Sequence, residues 1–244
     1  MIQLQGLVKD YGGTRAVDGL ELAVAAGEIL GLVGPNGAGK TTTLRCLAGI
    51  LPATSGRIVV GGHDLELEPI EARRALAFVP DEPRLFDSLT VWDHILIVSR
   101  LYGVADGHDR GQALLAAFGL TDRRDAFPGE LSRGMKQKLM VACALLHRPR
   151  ALILDEPLTG LDPAAMRRMR QTIRETAAGG AAIIVSSHML QLVEAVCDRV
   201  LILMHGKKLL EGRLDEIRRA IPELDEDAGL EEIFLRATGE DDGR

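Results

Sequence analysis

The stretch GEILGLVGPNGAGKTT, residues 27–42, decides the fold. Its first half, GEILGLVG, is a short apolar run ending in glycine, the pattern of a buried strand. Its second half fits G-x-x-x-x-G-K-[ST]. The residues that follow, TTLRCLAGILP (42–52), show helical spacing at Leu44, Leu47 and Ala48 before Gly49 and Pro52 stop them. A strand, a glycine-rich turn and a helix form the context in which such a loop holds phosphate. Gly34, Gly37 and Gly39 let the backbone turn tightly and aim N–H groups at phosphate oxygens. The helix beginning near Lys40 adds the positive end of its dipole. The spacing predicts that Lys40 reaches the β- and γ-phosphates and that the Thr41 hydroxyl ligates Mg2+.

A second acidic element completes a phosphohydrolase pattern. ALILDEP, residues 151–157, is an apolar strand ending in two acids. A carboxylate at the end of a buried strand beside the phosphate loop holds Mg2+ through water, which suits Asp155. Glu156 is then placed to polarise the attacking water.

Around these two elements the chain alternates. Residues 2–24 read as two half-buried strands about a turn at Gly12-Gly13, and GRIVVGG (56–62) as another short strand. From Thr90 to His147 the spacing is helical, with Thr90 (and Asp93 three residues on) and Ser132 as candidate N-caps. Strands return in ALILDEP, AAIIVSSH and RVLILMHGKKLLEG, the last a hairpin about His205-Gly206. The pattern predicts an α/β fold with a mostly parallel sheet covered by helices. Its core spans 1–85 and 149–215, a helical insertion 86–148, and an amphipathic, acidic tail 216–244. Within that tail LEEIFLRATG is a candidate short helix before the acidic end EDDGR.

Composition removes several functions. A net charge of -6 disfavours a polyanion as main partner, and 3% aromatic residues leave little base-stacking surface, so no nucleic-acid partner is expected. No apolar run reaches the roughly 18 residues of a membrane span. The start of the chain lacks the pattern of a signal peptide. Cys46, Cys143 and Cys197 have no metal-ligand spacing and read as buried structural thiols in a reducing compartment.

The motif set resembles the ATP-binding-cassette (ABC) ATPases over nearly the whole chain. LSRGMKQ, residues 131–137, is similar to the family signature LSGGQ, keeping Leu131, Ser132 and Gly134 and departing at Arg133 and Met135. LTGLD, residues 158–162, resembles the D-loop with Asp162. His188 stands at the place of the switch histidine, and Tyr11 at that of the aromatic stacked on adenine. The resemblance implies a P-loop NTPase core, mostly parallel with an antiparallel β part, and an inserted α-helical subdomain. It implies ATP and Mg2+ as cofactors. The loop Gly34, Pro35, Asn36, Gly37, Ala38, Gly39, Lys40, Thr41 and Thr42 would hold ATP. It further implies Glu156 as general base, His188 on the γ-phosphate, and Ser132 with Gly134 serving the ATP of a second subunit. Two subunits would close head to tail around two nucleotides.

A single cassette then points to a transporter subunit: a homodimer at the inner face of the cell membrane, otherwise cytoplasmic, working with integral membrane permease subunits. SRGMKQ, VPDEP and LEEIFLRATGE resemble the ABC-2 exporter-type group, and the short tail leaves no room for the regulatory domain of sugar-importer ATPases. The alternatives are an importer ATPase, or a translation or DNA-maintenance ATPase. The last two would carry a second cassette or a coiled-coil insertion. One residue departs from the family in the site itself. Asp81, in VPDEP, occupies the position of a Gln that contacts Mg2+ or the attacking water. A carboxylate is acceptor-only and favours a metal contact through water; Glu82 beside it is expected to face solvent.

Overall fold

In the computed structural model the described residues are 1–220 and 228–239. The acidic end assigned to 240–244 lies outside them. The strands are β1 (Ile2–Tyr11), β2 (Thr14–Val24), β3 (Ile29–Val33), β4 (Ser55–Val60), β5 (His63–Asp64), β6 (Leu76–Val79), β7 (Ala151–Asp155), β8 (Ala182–Ser186), β9 (Arg199–Met204) and β10 (Lys207–Gly212). The helices are α1 (Lys40–Leu47), α2 (Pro69–Arg74), α3 (Val91–Tyr102), α4 (Gly107–Ala117), α5 (Arg133–Leu146), α6 (Pro163–Ala178), α7 (Leu190–Val196), α8 (Leu214–Ala220) and α9 (Leu230–Thr238).

Two sheets form. One is antiparallel, in the order β2-β1-β4-β5; the other runs β10-β9-β3-β8-β7-β6, parallel except for β10. Every residue of β3, β7 and β8 is buried, as continuous apolar runs covered on both faces require. Because β6, β7, β8 and β3 are parallel, the residues that follow them gather at one edge of the sheet. Asp81 follows β6, Glu156 follows β7, His188 follows β8 and the phosphate loop follows β3. Open parallel sheets bind ligands at that edge.

The mixed α/β architecture, with a parallel-containing sheet and a helical subdomain, is the one the sequence predicted. Helix α3 starts as its sequence dictates: the Thr90 side chain accepts from the Asp93 amide and the Asp93 carboxylate accepts from the Thr90 amide, a complete capping box. Helix α5 is capped by Ser132, whose hydroxyl accepts from the Met135 amide at 3.2 Å. Trp92, Ile95, Leu115, Phe118 and Leu139 of α3, α4, α5 and their connections share one apolar cluster with Val79, Leu152 and Val185 of the sheet.

The loop from β6 to α3 is tied to that block by His94. The buried imidazole accepts from the Phe86 amide at Nε2 (3.0 Å), while Nδ1 lies 2.7 Å from the Thr90 carbonyl. At the other end of the chain, α9 packs on α7, with Leu230 and Ile233 joining Val193, Val200 and Ile202 in a third cluster. Burial pushes the Cys143 and Cys197 thiols up to about 12, so both remain protonated and inert at neutral pH. Among the described residues no helix is long and apolar enough to cross a membrane.

Candidate active site

The phosphate loop turns directly into α1. Gly39, at its N-cap, has φ 104°, and a Cβ there would stand 2.4 Å from the carbonyl oxygen of Ala16, so glycine is required twice over. Asn36 to Thr42 line a cleft of about 390 Å3 together with Asp81, Asp155, Glu156 and His188. Thus the cleft gathers nearly all of the loop, both acids after β7, the histidine after β8 and the acid after β6. Gly34 and Pro35, the first two residues of the loop, are outside the lining and present their carbonyls to Lys40. Tyr11, at the half-exposed end of β1, is outside the lining, with the Lys9 ammonium 5.0 Å from its ring centroid.

Lys40 is folded back on its own loop. Its Nζ donates to the carbonyls of Gly34 (2.5 Å) and Pro35 (3.0 Å). Burial holds its pKa below the usual lysine value, and the charges of Glu156 and Asp155 pull partly the other way. A half-buried ammonium with only carbonyl partners gains most from an anion.

Asp155 is 5% exposed, and the Thr41 hydroxyl donates to it at 3.3 Å. Burial pushes its pKa up, Glu156 and Asp81 add to the rise, and the Thr41 hydrogen bond lowers it in part. A desolvated carboxylate beside a hydroxyl and two further acids is short of positive charge, which fits a divalent cation. Among the described residues no group of three or more His, Cys, Asp or Glu forms a ready metal cage.

Glu156 is held at both its backbone and its carboxylate. Its backbone has φ 50°, the left-handed region, at a cost of roughly 1–2 kcal/mol for a residue with a Cβ. Its amide donates to the Ser186 carbonyl at 2.9 Å. The carboxylate accepts from the Ser187 hydroxyl (3.0 Å) and the His188 amide (2.8 Å), and His188 Nδ1 lies 2.8 Å from Oε2. A strained, over-determined carboxylate at a strand end suits a group that must orient a reactant.

The signature element stands apart. Ser132, the exposed N-cap of α5, and Gly134, buried in its first turn, do not line this cleft. Gly134 rests on the turn after β7, where a Cβ would come within 2.6 Å of the Gly160 carbonyl oxygen. Asp162 caps α6 by accepting from the Ala165 amide at 2.8 Å, a bond that holds its carboxyl below the usual range. Asp81 is paired with Arg133, whose Nη2 donates to Oδ1 at 3.0 Å. Glu82 turns outward, 3.9 Å from Arg84, both more than four-fifths exposed. Sequence reasoning missed Ser187 and Thr159, one holding Glu156 and the other lining the cleft. Both are sequence neighbours of motif residues, in SSH and LTGLD, which was the available signal.

The profile of the ABC transporter family matches residues 17–159. The chain is 36% identical over 222 residues to the daunorubicin/doxorubicin resistance ATP-binding protein DrrA of Streptomyces peucetius, covering 90% of this chain and 67% of that protein. It is 33% identical over 245 residues to the ABC-type transporter ATP-binding protein EcsA of Bacillus subtilis (strain 168), covering 100% of this chain and 98% of that one. A solved ATP-binding subunit of an ABC transporter superposes with a TM-score of 0.93 at 34% identity, over 98% of this chain and 99% of the other. The chain therefore belongs to the ABC transporter family, as one of its ATP-binding, ATP-hydrolysing cassette subunits.

Proposed function

We propose that this subunit powers export through a separate membrane-spanning partner, closing as a homodimer on ATP and reopening after hydrolysis. The observation that carries the proposal is the division of the chemistry. Lys40, Thr41, Asp155, Glu156 and His188 share one cleft, while Ser132 stands exposed outside it at the N-cap of α5, with Gly134 buried beneath it in the first turn. Such a terminus offers a hydroxyl, amides and a positive dipole end to a γ-phosphate. A second copy placed head to tail brings one to each cleft.

In this reading Lys40 exchanges its two loop carbonyls for phosphate oxygens, and the loop amides hold the β-phosphate. Thr41 and Asp155 would hold Mg2+, with Asp81, which lines the same cleft, acting on it through water. When bound, that ion neutralises charge on the transferred phosphoryl group. Glu156 polarises the attacking water; to do so it must give up one of its present donors, and the exposed His188 is the one free to swing towards the γ-phosphate. Tyr11 reaches the adenine and Asp162 the partner subunit's switch region. The working units are the core (1–85 and 149–215), the helical subdomain (86–148) and the tail (216–244).

The match to a transporter family profile favours transport over the translation and DNA-maintenance readings, and the drug-resistance relative supports an outward direction over import. The subunit then works in the cytoplasm against the inner face of the membrane. The test is co-expression with the membrane protein encoded by the neighbouring reading frame. Co-purification with a polytopic protein and stimulation of ATP hydrolysis by it are expected. Purification with ribosomes or DNA in its place would sink the proposal.

A further inference from the structure

Arg133 and Asp81 lie 52 residues apart, in different parts of the molecule. Arg133 opens α5 in the helical block, whereas Asp81 follows β6 in the core. Besides donating to Asp81, the same side chain lies along Gly160: a Cβ there would sit 3.4 Å from Arg133 Cγ and 3.3 Å from Cδ. Asp81 and Thr159, the residue before Gly160, both line the nucleotide cleft. One side chain of the signature helix thus touches two of the loops that line the cleft of its own chain, those after β6 and β7.

The pair is poorly placed to hold the fold. Its side chains are 55% and 49% exposed, and ion pairs of that kind contribute little to stability and are screened by salt. It is well placed to respond. Asp81 lines the cleft beside the phosphate loop and Asp155, so its charge is felt where phosphate must enter. Unpaired, it would repel that phosphate. Arg133 offsets the charge.

We propose that Arg133 is a positioning residue that masks Asp81 against the entering nucleotide and, through the same contact, makes the place of the signature turn depend on what this chain's own cleft holds. Arriving phosphate competes with Asp81 for the guanidinium. The pair loosens, and the first turn of α5, with Ser132 and Gly134, is freed to serve the neighbouring subunit's site. This rests on the nucleotide reading of the cleft.

Hydrogen exchange on the full chain tests both parts, with ADP and magnesium as the probe, at a protein concentration where light scattering reports a monomer. Amides over 34–42 gain protection on ADP addition. Amides of 133–136 exchange about two- to fivefold faster in the wild type, the range an exposed ion pair supports. That second response disappears in Arg133→Ala and in Asp81→Ala, and Arg133→Lys retains part of it. At low salt and without magnesium, Arg133→Ala weakens ADP about two- to fivefold, and adding Asp81→Ala removes the loss. A wild-type α5 that ignores ADP, or one that responds equally in Arg133→Ala, overturns the tether while protection over 34–42 leaves the site standing. An affinity loss that persists in the double variant overturns the masking. Absence of protection over 34–42 in the wild type overturns the site and the proposal with it.

Discussion

His188 Nδ1 lies 2.8 Å from Glu156 Oε2, and the His188 amide donates to Oε1 at 2.8 Å, so one residue grips both carboxylate oxygens of its neighbour in the cleft. The contact joins the end of β8 to the end of β7. It orients the carboxylate and also occupies the lone pairs that a water would need. Glu156→Gln removes the base and keeps the shape. We expect ATP binding to be retained, hydrolysis to fall by about 10²–10⁴-fold, and an ATP-bound dimer to accumulate on size exclusion. Full turnover in that variant would refute the assignment. His188→Ala should lower turnover with little change in ATP affinity, read by single-turnover kinetics beside equilibrium binding.

Lys40→Ala deletes a half-buried ammonium whose present partners are two carbonyls. Charge-assisted bonds contribute about 1.5–3 kcal/mol each, so ATP affinity should fall roughly 10–100-fold. Calorimetric titration measures it, and unchanged affinity would contradict the phosphate loop.

Asp155→Asn separates stability from function. The folded pKa of Asp155 stands above its ordinary value of 3.8, so the native state holds the proton more tightly than the unfolded chain. Stability from this group is therefore full at low pH, is lost as pH rises through the raised value, and is flat above it. The amide carries no such charge. The nucleotide-free variant should be more stable at neutral pH by about 0.5–2 kcal/mol, with the difference closing towards pH 4, while magnesium-dependent ATP hydrolysis is lost. Thermal melts across pH, paired with an activity assay, would show it; an equal or lower neutral-pH melting temperature would count against the burial argument.

Gly134→Ala puts a methyl group 2.6 Å from the Gly160 carbonyl oxygen, a backbone atom that cannot step aside cheaply. Overpacking of this kind costs about 1–3 kcal/mol. Chemical denaturation should register the loss, and ATP-driven dimerisation should weaken further than the stability change explains, because the signature turn itself is displaced.

How much of this could be read from the chain depends on how local the signal is. The phosphate loop is a contiguous run whose glycines, lysine and threonine each have one physical reason to be there, so strand, turn and helix follow from the letters. The caps at Thr90 and Ser132 are equally local. β7 and β8 declared themselves as apolar runs. The Arg133–Asp81 pair was not legible: it joins two unusual residues across 52 positions, and only the folded sheet edge brings them together. The grip of Ser187 and His188 on Glu156 was hidden for the same reason, since strand order β8-β7 is a property of topology. The strain at Glu156 leaves no mark in a sequence at all.

The seat of α9 has a practical side. Ile233 and Leu230 fill the groove over α7, which begins two residues after His188. Anyone exchanging cassettes between transporters, or trimming this one for crystallisation, meets that helix as the footing of the histidine loop and not as spare chain. A splice placed after β10 would discard it and bare an apolar seam. A splice placed after Gly239 would carry the footing along.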